Sequence, residues 1–234
     1  MIEIHPVEGL PEIRAGDDLA GLIGALIELR PGDVLVVAQK AVSKAEGRVV
    51  RLDEIEPSAR ARELAGDEDP RRLEAILRET VRIVRLRPPL VIAETRHGFV
   101  CASAGVDASN APEAGTLVLL PLDPDASARR LHERLGVAVI VSDSFGRPFR
   151  HGTTDVAIGV AGLAPLEDLR GTRDRAGYEL QTTLIAVADE LAGAAQLVMG
   201  KTDGVPAAVI RGASVRGDGT ARELVMEAER DLFR

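Results

Sequence analysis

The sequence predicts an α+β (mixed α/β) fold, and three observations support this prediction. Strand-like and helix-like segments alternate along most of the 234 residues, as in domains whose sheets are covered by helices. Residues 81–105 contain three strand-like pieces in close succession. Residues 137–141 form an apolar, β-branched run that is typical of a strand buried on both faces. Because no repeat or linker interrupts the pattern, we expect one domain over residues 1–234.

The elements of the first half are assigned from apolar periodicity and from residues that start or stop helices. Asp17-Asp18 can cap the first helix, and Pro31-Gly32 follows its end. Asp69-Pro70 breaks a longer helical region. In order, the predicted elements are a strand at 1–5, a helix at 19–29, a strand at 33–37, a loop at 38–48, helical structure over 58–83, and strands at 81–86, 90–95 and 98–105.

The same signals assign the second half of the chain. We expect the buried strand that begins at residue 137 to end on Ser142, Asp143 and Ser144. In order, the predicted elements are a loop at 105–115, a strand at 116–121, a helix at 126–135, the strand from 137, a strand at 154–162, a long helical stretch at 176–199, a strand at 207–212 and an exposed helix over about 220–232.

Composition favours a globular enzyme over a nucleic-acid or membrane protein. Charged residues make up 28% and hydrophobic residues 45% of the chain, which are ordinary values for a globular protein. Aromatic residues make up 2% and the net charge is −8, so neither base stacking nor a basic surface supports nucleic-acid binding. Without a signal-peptide pattern or a long apolar run, we expect a cytoplasmic protein that does not contact a membrane. Cys101 is the only cysteine, which excludes an intramolecular disulfide and a CxxC metal site.

Residues 142–151 are the most informative segment for function. Asp143 and Ser144 follow the buried strand, and Arg147 and Arg150 lie in and just beyond the turn that comes next. Ligands of α/β sheets bind at the carboxyl ends of strands. Carboxylate and hydroxyl oxygens suit magnesium or manganese, and guanidinium groups suit phosphate or carboxylate. For Arg147 the alternative is a structural contact within its own turn.

Two further loops add candidate ligands. Lys44 and Arg48 follow the strand at 33–37 and are candidate phosphate contacts, with a solvated turn as the alternative. Asp107 lies in a loop rich in small residues and is a second carboxylate that could share a divalent cation with Asp143. An ordinary turn residue is the alternative for Asp107.

Residues 195–202 (AQLVMGKT) match a P-loop if alanine is allowed first, but the order of elements is wrong. A P-loop follows a strand and opens a helix, whose N–H groups then face phosphate. Here the segment follows a helical stretch and precedes the strand at 207–212. We therefore reject a P-loop and keep the GKTDG loop as a weaker nucleotide contact, with a simple helix stop as the alternative.

Four segments, taken in order, resemble a known family. They are SKAEGR, GVDASN, SDSFGRPFR with its trailing glycine, and GKTDGVPAAVIRG. From Leu10 to Gly212 the chain is similar to the GTP-dependent coenzyme F420-0:L-glutamate ligases, also called gamma-glutamyl ligases. The resemblance implies a non-P-loop ligase fold of two interlocked subdomains in an intertwined homodimer. The C-terminal flavin-type domain that some relatives carry is not expected here.

The resemblance also implies an activity. The family uses GTP, two divalent cations (Mg²⁺ or Mn²⁺) and K⁺ as an activator. It joins L-glutamate to the lactyl carboxylate of coenzyme F420-0 or a dehydro precursor. An acyl phosphate forms first, and the glutamate amine then gives an amide, with release of GDP and phosphate. Whether further gamma-linked glutamates are added is left open.

Site residues are implied position by position. Asp107 and Asp143 would hold the first cation, and Ser144 the second, where the family often has threonine. Gln39-Lys40 departs from the small hydroxyl residues usual in the family. The residues that would contact or enclose GTP are Leu10, Pro11, Glu12, Ile13, Gln39, Lys40, Lys44, Asn110, Met199, Gly200, Lys201, Thr202, Asp203, Gly204, Val205 and Pro206. To these we add Arg147 and Arg150 as catalytic candidates that bind a carboxylate or stabilise the transferred group.

Two other functions stay open at this point. A metal-dependent nucleotide phosphohydrolase would use the same aspartates, with water as the nucleophile. A non-enzymatic GTP-binding regulatory domain would bind the nucleotide without turning it over.

Overall fold

The computed structural model describes residues 1–232 of the chain and mixes helices with strands. The α-helices are α1 (Leu19–Leu26), α2 (Gln39–Ala45), α3 (Ala59–Ala65), α4 (Pro70–Glu79), α5 (Pro124–Leu135) and α6 (Val187–Met199). The β-strands are β1 (Glu3–Pro6), β2 (Val34–Ala38), β3 (Val49–Arg51), β4 (Thr80–Arg87), β5 (Leu90–Thr95), β6 (Val100–Ala102), β7 (Thr116–Val118), β8 (Ala138–Gly146), β9 (Thr153–Ala161), β10 (Glu167–Asp168), β11 (Leu184–Ile185) and β12 (Ala207–Arg211). The predicted mixed α/β class is confirmed.

The main sheet has five strands in the order β1-β12-β2-β8-β9. β2 and β8 run parallel, and the other neighbours in this sheet are antiparallel. Successive side chains of a strand point to opposite faces. Leu35 and Val37 therefore pack with α1 and α5, whereas Val34 and Val36 pack with α6 on the other face. Helices cover both faces, which confirms the doubly buried strand that the apolar run at 137–141 predicts.

A second, smaller core lies within residues 49–119. Apolar side chains of α3, α4, β5 and β7 meet there in one cluster. The sheet β4-β5-β6 and the strand pair β3-β7 supply its framework. A buried carboxylate, Glu79, contacts Arg48 at 2.9 Å and Arg96 at 3.2 Å. This ion triad connects the end of α4 to the loop that follows α2.

The prediction of a loop at residues 38–48 is wrong, because most of this segment forms α2. Residues 39–45 (QKAVSKA) are mainly good helix formers. Ala41 and Val42 pack into the main core, and Gly47 takes a positive φ of 70° just after the helix. Because the helix is short and buries the polar residues Gln39, Ser43 and Lys44 as well as Ala41 and Val42, it shows no apolar period in the sequence.

Three predicted helical stretches are longer than the helices found, and the first of them, predicted at 19–29, ends at Leu26. α4 ends at Glu79, and the β-branched residues from Thr80 onwards pair with β5 instead of continuing the helix. The stretch at 176–199 is helical only from Val187. Its first part is irregular and ends in β11, which pairs with β10.

The prediction of an exposed helix over residues 220–232 is also wrong. Only a 3₁₀ turn at Ala221–Leu224 forms, opened by a capping box between Thr220 and Glu223. Beyond it, Met226 is 59% and Leu232 92% exposed. A longer helix would bury no apolar face here, and short helices without such burial are marginal in water.

The rejection of a P-loop is confirmed by the order of elements, since α6 precedes the GKTDG segment and β12 follows it. Across residues 1–232, no helix combines the length and the apolar character needed to cross a lipid bilayer.

Gly159 in β9 lies directly against Pro124, the first residue of α5. A Cβ at this position would lie 2.2 Å from the Pro124 carbonyl oxygen and 2.5 Å from its carbon. Because backbone atoms cannot swing aside, we expect Gly159→Ala to lower the free energy of unfolding by about 1–3 kcal/mol. Gly193→Ala in α6 is the matched control, since its nearest contact would be 3.4 Å. It should be neutral or stabilising by up to about 1 kcal/mol. Equal unfolding midpoints of the two variants in urea would contradict this account.

Candidate functional site

The candidate site lies where the parallel strands β2 and β8 reach the same edge of the sheet. Ala38 at the end of β2 pairs with Ser142 of β8. The first turn of α2 therefore lies beside Asp143 and Ser144. A cavity of about 400 Å³ opens at this edge, the position at which open α/β sheets bind ligands.

The cavity collects residues from separate parts of the chain. The predicted site residues that line it are Leu10, Pro11, Glu12, Ile13, Gln39, Lys40, Lys44, Asn110, Asp143, Ser144, Met199, Gly200, Lys201, Gly204, Val205 and Pro206. The predicted residues outside this lining are Asp107, Arg147, Arg150, Thr202 and Asp203. Residues that line it without having been predicted are Ala38, Ala41, Ala111, Ser142 and Asp155.

The strand β8 does not end at Ser142–Ser144, as predicted, but continues to Gly146 paired with β9. Its register places Ser144 directly opposite Asp155. Asp155 is buried, and its carboxylate accepts hydrogen bonds from Ser142 Oγ at 3.1 Å and Ser144 Oγ at 2.6 Å. The missed signal was a charged residue inside a strand, which the turn between β8 and β9 folds back onto the site.

Asp143 carries the most perturbed carboxylate of the cavity. Burial raises its pKa to about 7, and the neighbouring Asp155 charge acts in the same direction. The Ser144 N–H, which donates to Asp143 Oδ1 at 2.9 Å, and the charges of Lys40 and Lys201 oppose the rise without cancelling it. A cation bound beside Asp143 would favour its ionised form, so the site is suited to positive charge.

Asp107 is held differently, although it also lies near α2. Lys40 Nζ contacts Asp107 Oδ2 at 2.6 Å, and Ser109 donates to both carboxylate oxygens. Burial raises the pKa of Asp107, but the Lys40 ammonium and the Ser109 donors outweigh it and lower the pKa to about 2. The structure thus connects Asp107 to the cavity through Lys40.

Three lysines place ammonium groups around the cavity. Lys44 is buried, and its Nζ lies 2.5 Å from Glu12 Oε1. Lys201 Nζ donates to Ser144 Oγ at 3.1 Å, while its carbonyl accepts from Asn110 Nδ2 at 3.2 Å. With Lys40, these groups give the cavity three cationic donors suited to an anionic ligand, of which Lys40 and Lys44 are paired with Asp107 and Glu12.

Other candidates are engaged in structural contacts. The Gln39 amide is buried and donates to Ser43 Oγ and the Leu119 carbonyl. Arg48 donates to the Leu120 carbonyl at 2.8 Å and pairs with Glu79, so the structure turns it away from the cavity. Arg147 donates to the His151 carbonyl at 2.7 Å, the structural alternative considered for it. Arg150 is exposed on the same hairpin.

The donor chemistry fits a hard divalent cation at one end of the cavity. Asp143, Ser144 and Asp155 offer carboxylate and hydroxyl oxygens on neighbouring strands, which magnesium and manganese prefer. Asp107 fits less well, because its carboxylate already carries the Lys40 ammonium. Within residues 1–232, no three His, Cys, Asp or Glu side chains form a ready cluster.

Comparison with known proteins matches this sequence to one family. The family model described as F420-0:Gamma-glutamyl ligase matches residues 9–212. The chain is 48% identical to the coenzyme F420:L-glutamate ligase of Methanothermobacter thermautotrophicus, over all of this chain and 99% of that protein. It is 49% identical to the protein of the same name from Methanopyrus kandleri, covering 98% of it, and 44% identical to that of Archaeoglobus fulgidus, covering 96%. The resemblance carried by the four loops is confirmed, and the chain belongs to the F420-0:gamma-glutamyl ligase family.

Proposed function

We propose that the chain is a GTP-dependent ligase that joins L-glutamate to the lactyl carboxylate of coenzyme F420-0 or a dehydro precursor. The observation that carries this proposal is a single cavity that combines three lysine ammonium groups with the oxygen donors Asp143, Ser144 and Asp155. Such a combination suits a triphosphate and its divalent cation. Family membership and the names of the relatives support the substrates.

Different walls of the cavity would bind the guanine ring, the phosphates and the divalent cation. Leu10, Pro11 and Ile13 offer apolar surface for a guanine ring, and Glu12 lies beside them. Lys44 and Lys201 would neutralise phosphate oxygens, as ammonium groups do in other phosphate sites. A divalent cation bound at Asp143 and Ser144 would withdraw charge from the transferred phosphoryl group. K⁺ as an activator stays a prediction.

In the proposed reaction, a carboxylate oxygen of F420-0 attacks the γ-phosphorus, and the bond from that phosphorus to GDP breaks. The glutamate amine then attacks the acyl carbon, loses a proton and expels phosphate. The role of the protein is to orient the two anions and to hold positive charge where negative charge accumulates. That Arg147 and Arg150 bind the substrate carboxylate stays a prediction, since both lie outside the cavity lining.

An intertwined homodimer of interlocked subdomains belongs to the same proposal. Val81 and Leu90 of the sheet β4-β5-β6 are 68% and 51% exposed. They lie at opposite ends of the β4–β5 strand pair, so the homodimer rests on the family resemblance and stays a prediction.

One assay separates the ligase from its two alternatives. Purified protein is incubated with GTP, Mn²⁺, L-glutamate and F420-0, each component is then omitted in turn, and products are measured by mass spectrometry. We expect the mass increment of one glutamate or more, with GDP, only in the complete mixture. Phosphate release from GTP alone would identify a phosphohydrolase. Bound GTP without any product would identify a regulatory domain, and either result would overturn the ligase.

A further inference from the structure

Lys40 occupies an unusual position for a side chain that would only touch a phosphate. Its side chain is 15% exposed. Its Nζ contacts Asp107 Oδ2 at 2.6 Å, the Ser109 carbonyl at 2.7 Å and Ser109 Oγ at 2.6 Å. An ammonium group has three protons to donate, and three acceptors hold this one. The charge is therefore fixed in place before any ligand arrives.

Both carboxylate oxygens of Asp107 also accept hydrogen bonds from within the protein. Oδ1 accepts the Ser109 N–H at 2.8 Å, and Oδ2 accepts both Ser109 Oγ at 2.7 Å and Lys40 Nζ. A divalent cation on this carboxylate would have to expel the partly buried Lys40 ammonium or share an oxygen with it. Either outcome is unfavourable, because the like charges repel and Lys40 would lose its partners.

The Asp143 carboxylate, in contrast, accepts few hydrogen bonds from the protein. Among the contacts described for residues 1–232, its carboxylate accepts one hydrogen bond, from the Ser144 N–H. Asp143, Ser144 and Asp155 all line the cavity, and their carboxylate and hydroxyl oxygens are of the kind that magnesium and manganese prefer. Lys201, which touches Ser144 Oγ, is exposed and flexible enough to move towards a phosphate. One cation therefore has a place here that does not require the Lys40 ammonium to leave.

We propose that the Lys40 ammonium is a built-in replacement for one of the two divalent cations that the family resemblance implies. The nucleotide then binds with one divalent cation, at Asp143, Ser144 and Asp155, while Lys40 supplies fixed positive charge at Asp107. This inference rests on the proposed binding of GTP and concerns the number and place of its cations.

The test is the ratio of bound Mn²⁺ to bound nucleotide. The full-length protein is dialysed to equilibrium against Mn²⁺ and a non-hydrolysable GTP analogue, and both bound species are counted by electron paramagnetic resonance and absorbance. We expect a ratio of one. Bound nucleotide with two Mn²⁺ overturns this inference and leaves the ligase proposal intact. No bound nucleotide overturns the proposed nucleotide dependence, and this inference with it.

Three variants locate the cation. Asp107→Asn should keep the ratio of one, whereas Asp143→Asn should weaken Mn²⁺ binding by about 100-fold or more. Lys40→Met removes the charge at similar length and should free Asp107, raising the ratio to two. Circular dichroism checks that each variant is folded. Loss of Mn²⁺ in Asp107→Asn, or an unchanged ratio in folded Lys40→Met, would contradict the replacement.

Discussion

Asp143→Asn is expected to abolish ligase turnover and also to stabilise the protein in the absence of metal. The carboxylate is the central oxygen donor of the cavity, and the positive charge that it would hold contributes several kcal/mol to phosphoryl transfer. We therefore expect a loss of turnover of about a thousandfold or more. Retained activity in this variant would remove Asp143 from the site.

The gain in stability follows from the pKa of Asp143, which burial raises from 3.8 to about 7. Between these values the folded protein binds one proton more than the unfolded chain, so its stability falls as the pH rises from about 4 to 7. Asparagine is neutral at every pH and can keep the acceptor for the Ser144 N–H. Above pH 7 the variant should be more stable than the wild type by about 1–3 kcal/mol.

Urea unfolding of metal-free protein between pH 4 and pH 8 measures this difference. The stability curves of the wild type and Asp143→Asn should approach each other near pH 4 and separate towards pH 7. A constant difference across this range would show that the Asp143 carboxyl does not titrate as proposed. The expected pattern is that of a site in which binding chemistry is maintained at a cost in stability.

Glu79→Met is expected to lower the free energy of unfolding by about 3 kcal/mol, because it removes the anion from a buried ion triad. Arg48 NH2 lies 2.9 Å from Glu79 Oε2 but is not aligned for a hydrogen bond, so the contact is mainly an attraction between charges. Without Glu79 this buried nitrogen has no counter-charge. Methionine has a similar length and no acceptor oxygen, which isolates the effect.

Glu56→Met serves as the control for Glu79→Met. Glu56 pairs with Arg62 at 2.6 Å, but its side chain is 87% exposed. An exposed pair contributes at most about 1 kcal/mol. Chemical denaturation of the two variants at neutral pH compares the buried and the exposed carboxylate. Similar losses in both would argue against a structural role for the triad at Arg48.

Sequence reasoning located the main strands well, because a strand buried on both faces is apolar at every position. It failed at α2 and over 220–232, where burial against the rest of the protein decides whether a helix forms. In α2 the core accepts Ala41 and Val42, so a short helix is stable there. Near the C-terminus no partner surface covers Met226, so the apolar residues do not support a helix.

Many individual residues of the candidate site could be predicted from the sequence, but their contacts with one another could not. Asp143 and Ser144 were visible because they follow a buried strand, and Lys44 because it follows another. Asp155 was hidden inside an apolar strand, and only the β8–β9 register places it opposite Ser144. The partner of Arg48 lies 31 positions away, and no local pattern relates Arg48 to Glu79.

By itself, the sequence determined the class of fold, the family and the loops that contribute to the site, because periodicity and loop motifs are local properties of the chain. The tertiary structure alone decided which charged and polar side chains contact one another. Lys40 and Asp107 are 67 positions apart, yet they meet at 2.6 Å. Lys201 and Ser144 are 57 positions apart and meet at 3.1 Å. Electrostatic interactions depend on distance in space and on burial, which the order of residues does not specify.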